Sequence, residues 1–162
     1  KIIFFVGRYR HYKGIEKLKL VIKQNYNWKF VIFNNNVNFF FNTNEDEKFF
    51  AFKNSYVHIF PSDNKAESFG LTLLEAQISA CPSIIYNIKT GVNEIITNNF
   101  NGICIDNLNE PLSISLKKLI DDENFRNKLS ENTNETKKKF SLDNYSSYYN
   151  YIQNMYEEKF NN

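Results

Sequence analysis

The sequence predicts an α/β fold, a Rossmann-like domain doubly wound on a mainly parallel sheet, and three observations carry that prediction. Short apolar runs alternate with longer runs of helical periodicity, the pattern of parallel strands joined by crossover helices. The first apolar run, Ile2-Ile3-Phe4-Phe5-Val6, is continuous rather than alternating, as a strand covered on both faces requires. Glycine or proline punctuates the runs, at Gly7 after the first, Pro61 after the fourth and Pro82 before the fifth.

Composition bounds the class. The 162 residues fit one domain, 1–162, around one core. With 42% hydrophobic and 17% aromatic residues there is ample material for a packed interior, which excludes a disordered chain. The 20 Lys+Arg and 18 Asp+Glu leave a net charge of +2, so no nucleic-acid partner is expected. Lys137-Lys138-Lys139 reads as a solvated helix face. Cys81 and Cys104 match no zinc or redox spacing and read as buried free thiols, compatible with a reducing, cytoplasmic compartment. No run approaches the roughly 20 apolar residues that span a bilayer. The chain shows no signal peptide and opens directly on a strand, as at a domain boundary.

The elements follow in order. After the first strand, apolar residues at Ile15, Leu18, Leu20, Val21 and Ile22 predict a helix from Ile15 to Gln24. Strands follow at Lys29 to Phe33 and Val37 to Phe41, joined only by Asn34-Asn35-Asn36. A parallel crossover needs a dozen or more residues, so this join reads as a hairpin or as the place of a lost helix. A helix from Asp46 to Asn54 turns Phe49, Phe50 and Phe52 toward the sheet, and a strand at Val57 to Phe60 ends at Pro61. A helix spans about Gly70 to Ser79, a strand Ser83 to Tyr86, and a short helix about Val92 to Thr97. Asn101-Gly102 turns the chain into the strand Ile103-Cys104-Ile105. From Glu110 onward the chain is helical, with Leu112, Ile114, Leu116, Leu119 and Ile120 on one apolar face and a Tyr-rich last helix from Tyr145 to Phe160.

Two loops hold the chemistry: Gly7-Arg8-Tyr9-Arg10-His11-Tyr12-Lys13-Gly14 after the first strand, and Pro61 to Leu71 after the fourth. In a doubly wound sheet, ligands bind beyond the carboxyl ends of the strands where strand order reverses, and there these loops would face each other. Arg8 and Lys13 would neutralise phosphate oxygens. A helix starting near Gly70 would aim its free N–H groups and positive dipole end at the same phosphates. Gly70 would permit close backbone approach, and Glu67 and Glu75 would accept hydrogen bonds from sugar hydroxyls. Each of these residues alone is commonplace; their joint occurrence after the appropriate strands is what carries weight. His58, within a strand, reads as structural, and His11 as a surface residue of the first loop.

Gly7-Arg8-x4-Lys13-Gly14 resembles the GR…KG loop of retaining family 4 glycosyltransferases of GT-B fold. Pro61-Ser62 with Glu67-Ser68-Phe69-Gly70-Leu71-Thr72-Leu73-Leu74-Glu75-Ala76 resembles their PS…EGFGLxxLEA block, with its Glu-x7-Glu spacing. Thr90-Gly91-Val92-Asn93-Glu94-Ile95-Ile96 is similar to their GGxxEii helix start. The resemblance implies a strand order 3-2-1-4-5-6 and the donor-binding, carboxy-terminal half of a two-domain enzyme. It implies that Arg8 and Lys13 bind the diphosphate of a nucleotide-sugar donor. Glu67 would contact the donor sugar, with Phe69, Gly70 and Leu71 offering backbone amides. Glu75 would hold the ribose, and the base would lie near Phe40 to Asn42. The implied reaction is retaining transfer of a hexose-type sugar to a glycan, lipid-linked or polysaccharide-precursor acceptor. Arg8, Lys13 and Glu67 would serve the chemistry, with no cofactor and no metal.

Consistent with the last point, Asp121-Asp122 falls on a helix and not in a DxD loop. Acceptor contacts, and any peripheral membrane association, are expected from an absent amino-terminal domain, without which this domain would transfer little sugar. An epimerase or phosphorylase of the same fold and a non-catalytic Rossmann-like interaction domain are the alternatives. Intact Arg8, Lys13, Glu67 and Glu75 argue against the last. Two positions depart from the family pattern: Ala80 stands where a glycine is usual, and Phe41 stands near another.

Overall fold

The computed structural model describes residues 2–6, 13–24, 29–33, 45–147, 150, 151 and 154. Five strands are formed: β1 (Ile2–Val6), β2 (Lys29–Phe33), β3 (Val57–Phe60), β4 (Ser83–Tyr86) and β5 (Gly102–Ile105). Six helices accompany them: α1 (Ile15–Gln24), α2 (Glu45–Lys53), α3 (Leu71–Ile78), α4 (Val92–Ile95), α5 (Leu112–Asp121) and α6 (Glu123–Lys139). The sheet order is β2-β1-β3-β4-β5, and every pairing is parallel. This is the expected 3-2-1-4-5-6 order over the strands described. The strand expected at Val37 to Phe41 and the Asn34–Asn36 join lie outside the described residues. So do Arg8, His11, the base-contact residues Phe40 to Asn42, and much of the expected last helix.

β1 shows why the chain folds in layers. Side chains alternate across a strand, so Ile3 and Phe5 pack in the large core with Ile15, Leu18 and Val21 of α1. Phe4, between them, is fully buried with Phe52, Ala76 and Cys81. Its ring meets Phe52 edge-on, centroids 4.7 Å apart, a geometry that favours the aromatic quadrupoles. α1 packs beside α5 and α2 beside α3, while α6 runs against both α3 and α5. A sheet with helices on both faces buries its strands completely, and β3 and β4 are buried at every position.

Three periodicity expectations are corrected. In α2 only Phe52 of the three phenylalanines is fully buried, whereas Phe50 is exposed. Successive helical residues are about 100° apart, so one turn cannot direct Phe49, Phe50 and Phe52 to one surface. Leu20 of α1 and Ile114 of α5 are exposed for the same reason. Asp122 is not within a helix; it caps α6, accepting a hydrogen bond from the Phe125 N–H at 2.9 Å.

Two polar residues tie the core. His58 is fully buried in β3, its Nδ1 3.2 Å from Ser83 Oγ. Burial lowers its pKa from 6.5 to about 3, so the ring is neutral. Asn101, expected at a turn, is also a buried bracket. Its carbonyl accepts from Thr97 N–H, and its amide donates to Ile95 O and Thr136 Oγ1. Cys81 and Cys104 are free thiols. Cys81 is buried, and Cys104 is half-buried. Burial pushes the Cys81 thiol up to about 12, which removes its nucleophilicity.

Candidate active site

The strand order places the two chemical loops together. The chain runs from β1 outward to β2, then returns past β1 to β3, so order reverses between β1 and β3. The turn that leads into α1 and the segment that follows β3 meet there, at Gly14 and Pro61. Gly14, in the turn before α1, has φ +70° and sits so close to Pro61 that a Cβ there would overlap the Pro61 carbonyl. A side chain at 14 would force the two loops apart, which is why that position takes glycine.

Lys13 and Glu67, one from each loop, form a partly buried ion pair. The Lys13 ammonium also lies 5.8 Å from the centre of the Phe60 ring, at the end of β3. The same ring underlies Gly70: the ring edge is 3.2 Å from where a Gly70 Cβ would stand. Phe60 is thus a common floor under Lys13 and the start of α3.

Gly70 is the N-cap of α3, held at φ +85° and ψ 66°. It has no side chain to bond the first turn. The N–H groups of Gly70, Leu71 and Thr72 have no acceptor among the described residues; the Gly70 carbonyl takes Leu73 and Leu74. The first turn of a helix leaves its N–H groups unsatisfied and carries a partial positive charge. Left-handed Gly70 exposes that turn beside Lys13, as an anion site requires. Leu71, 68% exposed, opens outward at the mouth of this region. Phe69 is partly buried, stacked edge-on to Phe140 with centroids 5.8 Å apart. The Gly91 N–H donates to Ser68 O at 2.8 Å, tying the loop after β4 to the same segment.

Glu75 lies one turn beyond Leu71. Its Oε1 accepts from Lys48 Nζ of α2 at 2.9 Å, and its Oε2 is buried with no hydrogen-bond partner among the described residues. Lys17 similarly meets Asp63 at 2.9 Å. Three carboxylates along the segment from β3 into α3 are therefore each matched by a lysine from another element. Of the predicted site residues, Lys13 and Glu67 meet directly, Lys13 and Gly70 share the Phe60 ring, Phe69 and Leu71 flank Gly70, and Glu75 lies further along α3; Arg8 lies outside the described residues. Lys48 was not foreseen. Its sequence signal is faint: it precedes buried Phe52 by four residues, hence shares its face of α2. Only the packing of α2 on α3 reveals what it meets.

A parallel, doubly wound sheet with helices on both faces defines the Rossmann-like class of α/β domain. Solved structures share this fold. TarM of S. aureus, described in complex with UDP, superposes with TM-score 0.73 at 21% identity, covering 89% of this chain and 33% of that one. The C-terminal domain of a glycosyl transferase group 1 family protein from Francisella tularensis gives 0.71 at 22% identity, covering 87% of this chain and 86% of its own. The pneumococcal O-GlcNAc transferase GtfA, described with UDP and GlcNAc, gives 0.74 at 16% identity over 93% of this chain and 35% of that chain. These likenesses establish the fold as that of a GT-B glycosyltransferase domain. Residues 33–136 match the family of glycosyl transferases group 1, and the chain belongs to that family. A poly(glycerol-phosphate) alpha-glucosyltransferase of Bacillus subtilis is 33% identical over 85 residues. That match takes in 52% of this chain and 13% of the relative, so the chain spans a small part of the relative's length.

Proposed function

We propose that this domain binds the diphosphate of a nucleotide-sugar donor between the loops after β1 and β3, and serves retaining transfer of the sugar to a glycan or lipid-linked acceptor. The observation that carries the reading is the meeting of Lys13 and Glu67 over Phe60, beside the uncapped first turn of α3. In the free domain Lys13 and Glu67 neutralise each other. An arriving diphosphate exchanges the Glu67 contact for phosphate oxygens and releases the Glu67 carboxylate to accept from a sugar hydroxyl. Charge building on the departing diphosphate is met by Lys13 and the α3 N–H groups, with Arg8 adding its charge as the family resemblance implies. This reading needs no metal and no cofactor. Acceptor contacts come from a second domain, with which the protein works on the cytoplasmic side.

Supporting the donor class are the nucleotides named with TarM and GtfA and the glucosyl transfer named for the Bacillus relative. Calorimetric titration with UDP, GDP and ADP is the test, and saturable binding of one of them is expected. Lys13→Ala should lower transfer efficiency roughly ten- to hundred-fold, as the loss of one charge-assisted hydrogen bond of about 1.5–3 kcal/mol predicts. Absence of binding by all three nucleotides, or unchanged kinetics in Lys13→Ala, would refute the reading.

A further inference from the structure

Lys17 sits where three segments meet. Its ammonium bonds Asp63 Oδ2 at 2.9 Å in the segment after β3. It also donates to the Leu108 carbonyl, between β5 and α5, and lies 4.0 Å from the centre of the Tyr86 ring at the end of β4. Tyr86 is itself fixed: it is buried, and its hydroxyl donates to Glu110 O at 2.7 Å. Two of the ammonium hydrogens thus go to oxygens while the charge rests on an aromatic face, a favourable place for a cation. Leu108 and Tyr86 hold Lys17 independently of Asp63. Pairing with Asp63 therefore orders little more of the lysine, and its effect falls on the segment that carries the carboxylate.

That pair is one rung of two. Lys13 and Lys17 stand four residues apart at the start of α1, and Glu67 and Asp63 stand four apart after β3, running the opposite way. Between the two acids the chain closes a turn, with the Glu67 N–H donating to Asn64 O at 3.1 Å and the Ala66 N–H to Asn64 Oδ1 at 2.8 Å. Asp63 and Glu67 are the two feet of this turn, and Gly70, which opens α3, follows three residues later.

We propose that Lys17 is a positioning residue of the donor site: through Asp63 it keeps the segment after β3 docked on α1 when a diphosphate draws Lys13 away from Glu67. This rests on the donor-binding reading above and deepens it. The Lys13–Glu67 rung opens to the ligand, while the Lys17–Asp63 rung stays closed and holds Glu67 and the first turn of α3 in place. The second pair is partly exposed, with side chains 26% and 36% accessible, so it adds little to global stability. Its effect is on the preorganisation of the segment, which binding affinity reads directly.

The experiment uses the full natural chain. UDP, GDP and ADP are titrated calorimetrically into wild type, Lys17→Met, Lys17→Arg, Asp63→Asn and the double variant Lys17→Met/Asp63→Asn, with thermal unfolding of each alongside. For the nucleotide that binds, Lys17→Met and Asp63→Asn should each weaken binding about fivefold or more, as the segment loses its preorganisation. The double variant should be no weaker than the weaker single one, because both changes open the same rung. Lys17→Arg, which keeps the charge and the donors, should stay within about threefold of wild type.

Asp63→Asn is the decisive arm. It removes a negative charge near the proposed anion site, so by charge alone it would tighten nucleotide binding, whereas loss of positioning weakens it. Tighter or unchanged binding by Asp63→Asn overturns the inference. Single-variant losses that simply add, or a Lys17→Arg protein as weak as Lys17→Met, overturn it too. A merely structural Lys17 would lower the unfolding temperature and leave the affinity of the folded protein at the wild-type value, and that result also overturns it. If the wild type binds none of the three nucleotides, the donor-binding reading falls, and this inference with it. Should Lys17→Met fail to fold, Asp63→Asn, which leaves Lys17 on Leu108 and Tyr86, still decides the matter.

Discussion

Ala80→Gly should stabilise this protein. α3 ends in a left-handed turn: its C-cap is Ser79, and Ala80, the next residue, has φ +60°. The Cys81 N–H reaches back to Ala76 O at 2.9 Å and the Ala80 N–H to Gln77 O at 3.0 Å. These two bonds are the Schellman closure, whose left-handed position glycine usually fills. A β-carbon there costs roughly 1–2 kcal/mol. Glycine gives back about 0.4–1 kcal/mol through the greater freedom of its unfolded chain. Ala80 is exposed, so its methyl forfeits little packing when removed. The net gain is about 0.5–1 kcal/mol, or about 1–4 °C in Tm for a domain of this size. Urea denaturation should show a higher midpoint with an unchanged slope. Ala80→Val should move the midpoint the other way, because a β-branched side chain is worse still at positive φ. A destabilised Ala80→Gly, or a neutral Ala80→Val, would refute the reasoning.

The other predictions concern the buried groups and the loop contact. His58 has a folded pKa near 3 against 6.5 unfolded. The unfolded chain therefore binds the proton first as pH falls, and stability present above pH 6.5 drains away toward pH 3. The contribution has a slope of at most about 1.4 kcal/mol per pH unit. His58→Gln should flatten that slope in acid denaturation; an unaltered slope would show that other groups govern it. Asn101→Ala strips three hydrogen bonds from a buried site and should cost about 2–4 kcal/mol by denaturant unfolding, since Thr97 N–H, Ile95 O and Thr136 Oγ1 lose their partner. Gly14→Ala should abolish nucleotide binding or folding, because the new methyl overlaps the Pro61 carbonyl at positive φ. Wild-type binding in a folded Gly14→Ala protein would show that the two loops need not touch.

The sequence by itself determined the strand positions of the fold and the two segments that form the candidate site. β1, β2, β3 and β4 fall where the short, largely apolar runs place them, because glycine, proline or asparagine at the run ends stops the extended backbone within a residue or two. The pairing of a glycine-rich turn after β1 with a glycine-opened helix after β3 was likewise legible, since both are short-range backbone demands. Helix faces were less so. Phe49, Phe50 and Phe52 look alike as a string, and only the docking angle of α2 decides that Phe52 alone is fully buried.

What the tertiary structure alone decided is partnership. That Lys13 meets Glu67, Lys17 meets Asp63 and Lys48 meets Glu75 depends on residues between 27 and 54 positions apart along the chain. Nothing in the local pattern of a lysine announces which carboxylate it will find. Asn101 shows the same division: the Asn-Gly pair predicted a turn, but its burial against Thr136 required α6 to come back across the sheet. Local sequence fixes backbone conformation because its sterics and periodicity act within a few residues. A charged or amide side chain takes its role from whatever the packed elements bring within about 3 Å, the reach of a hydrogen bond.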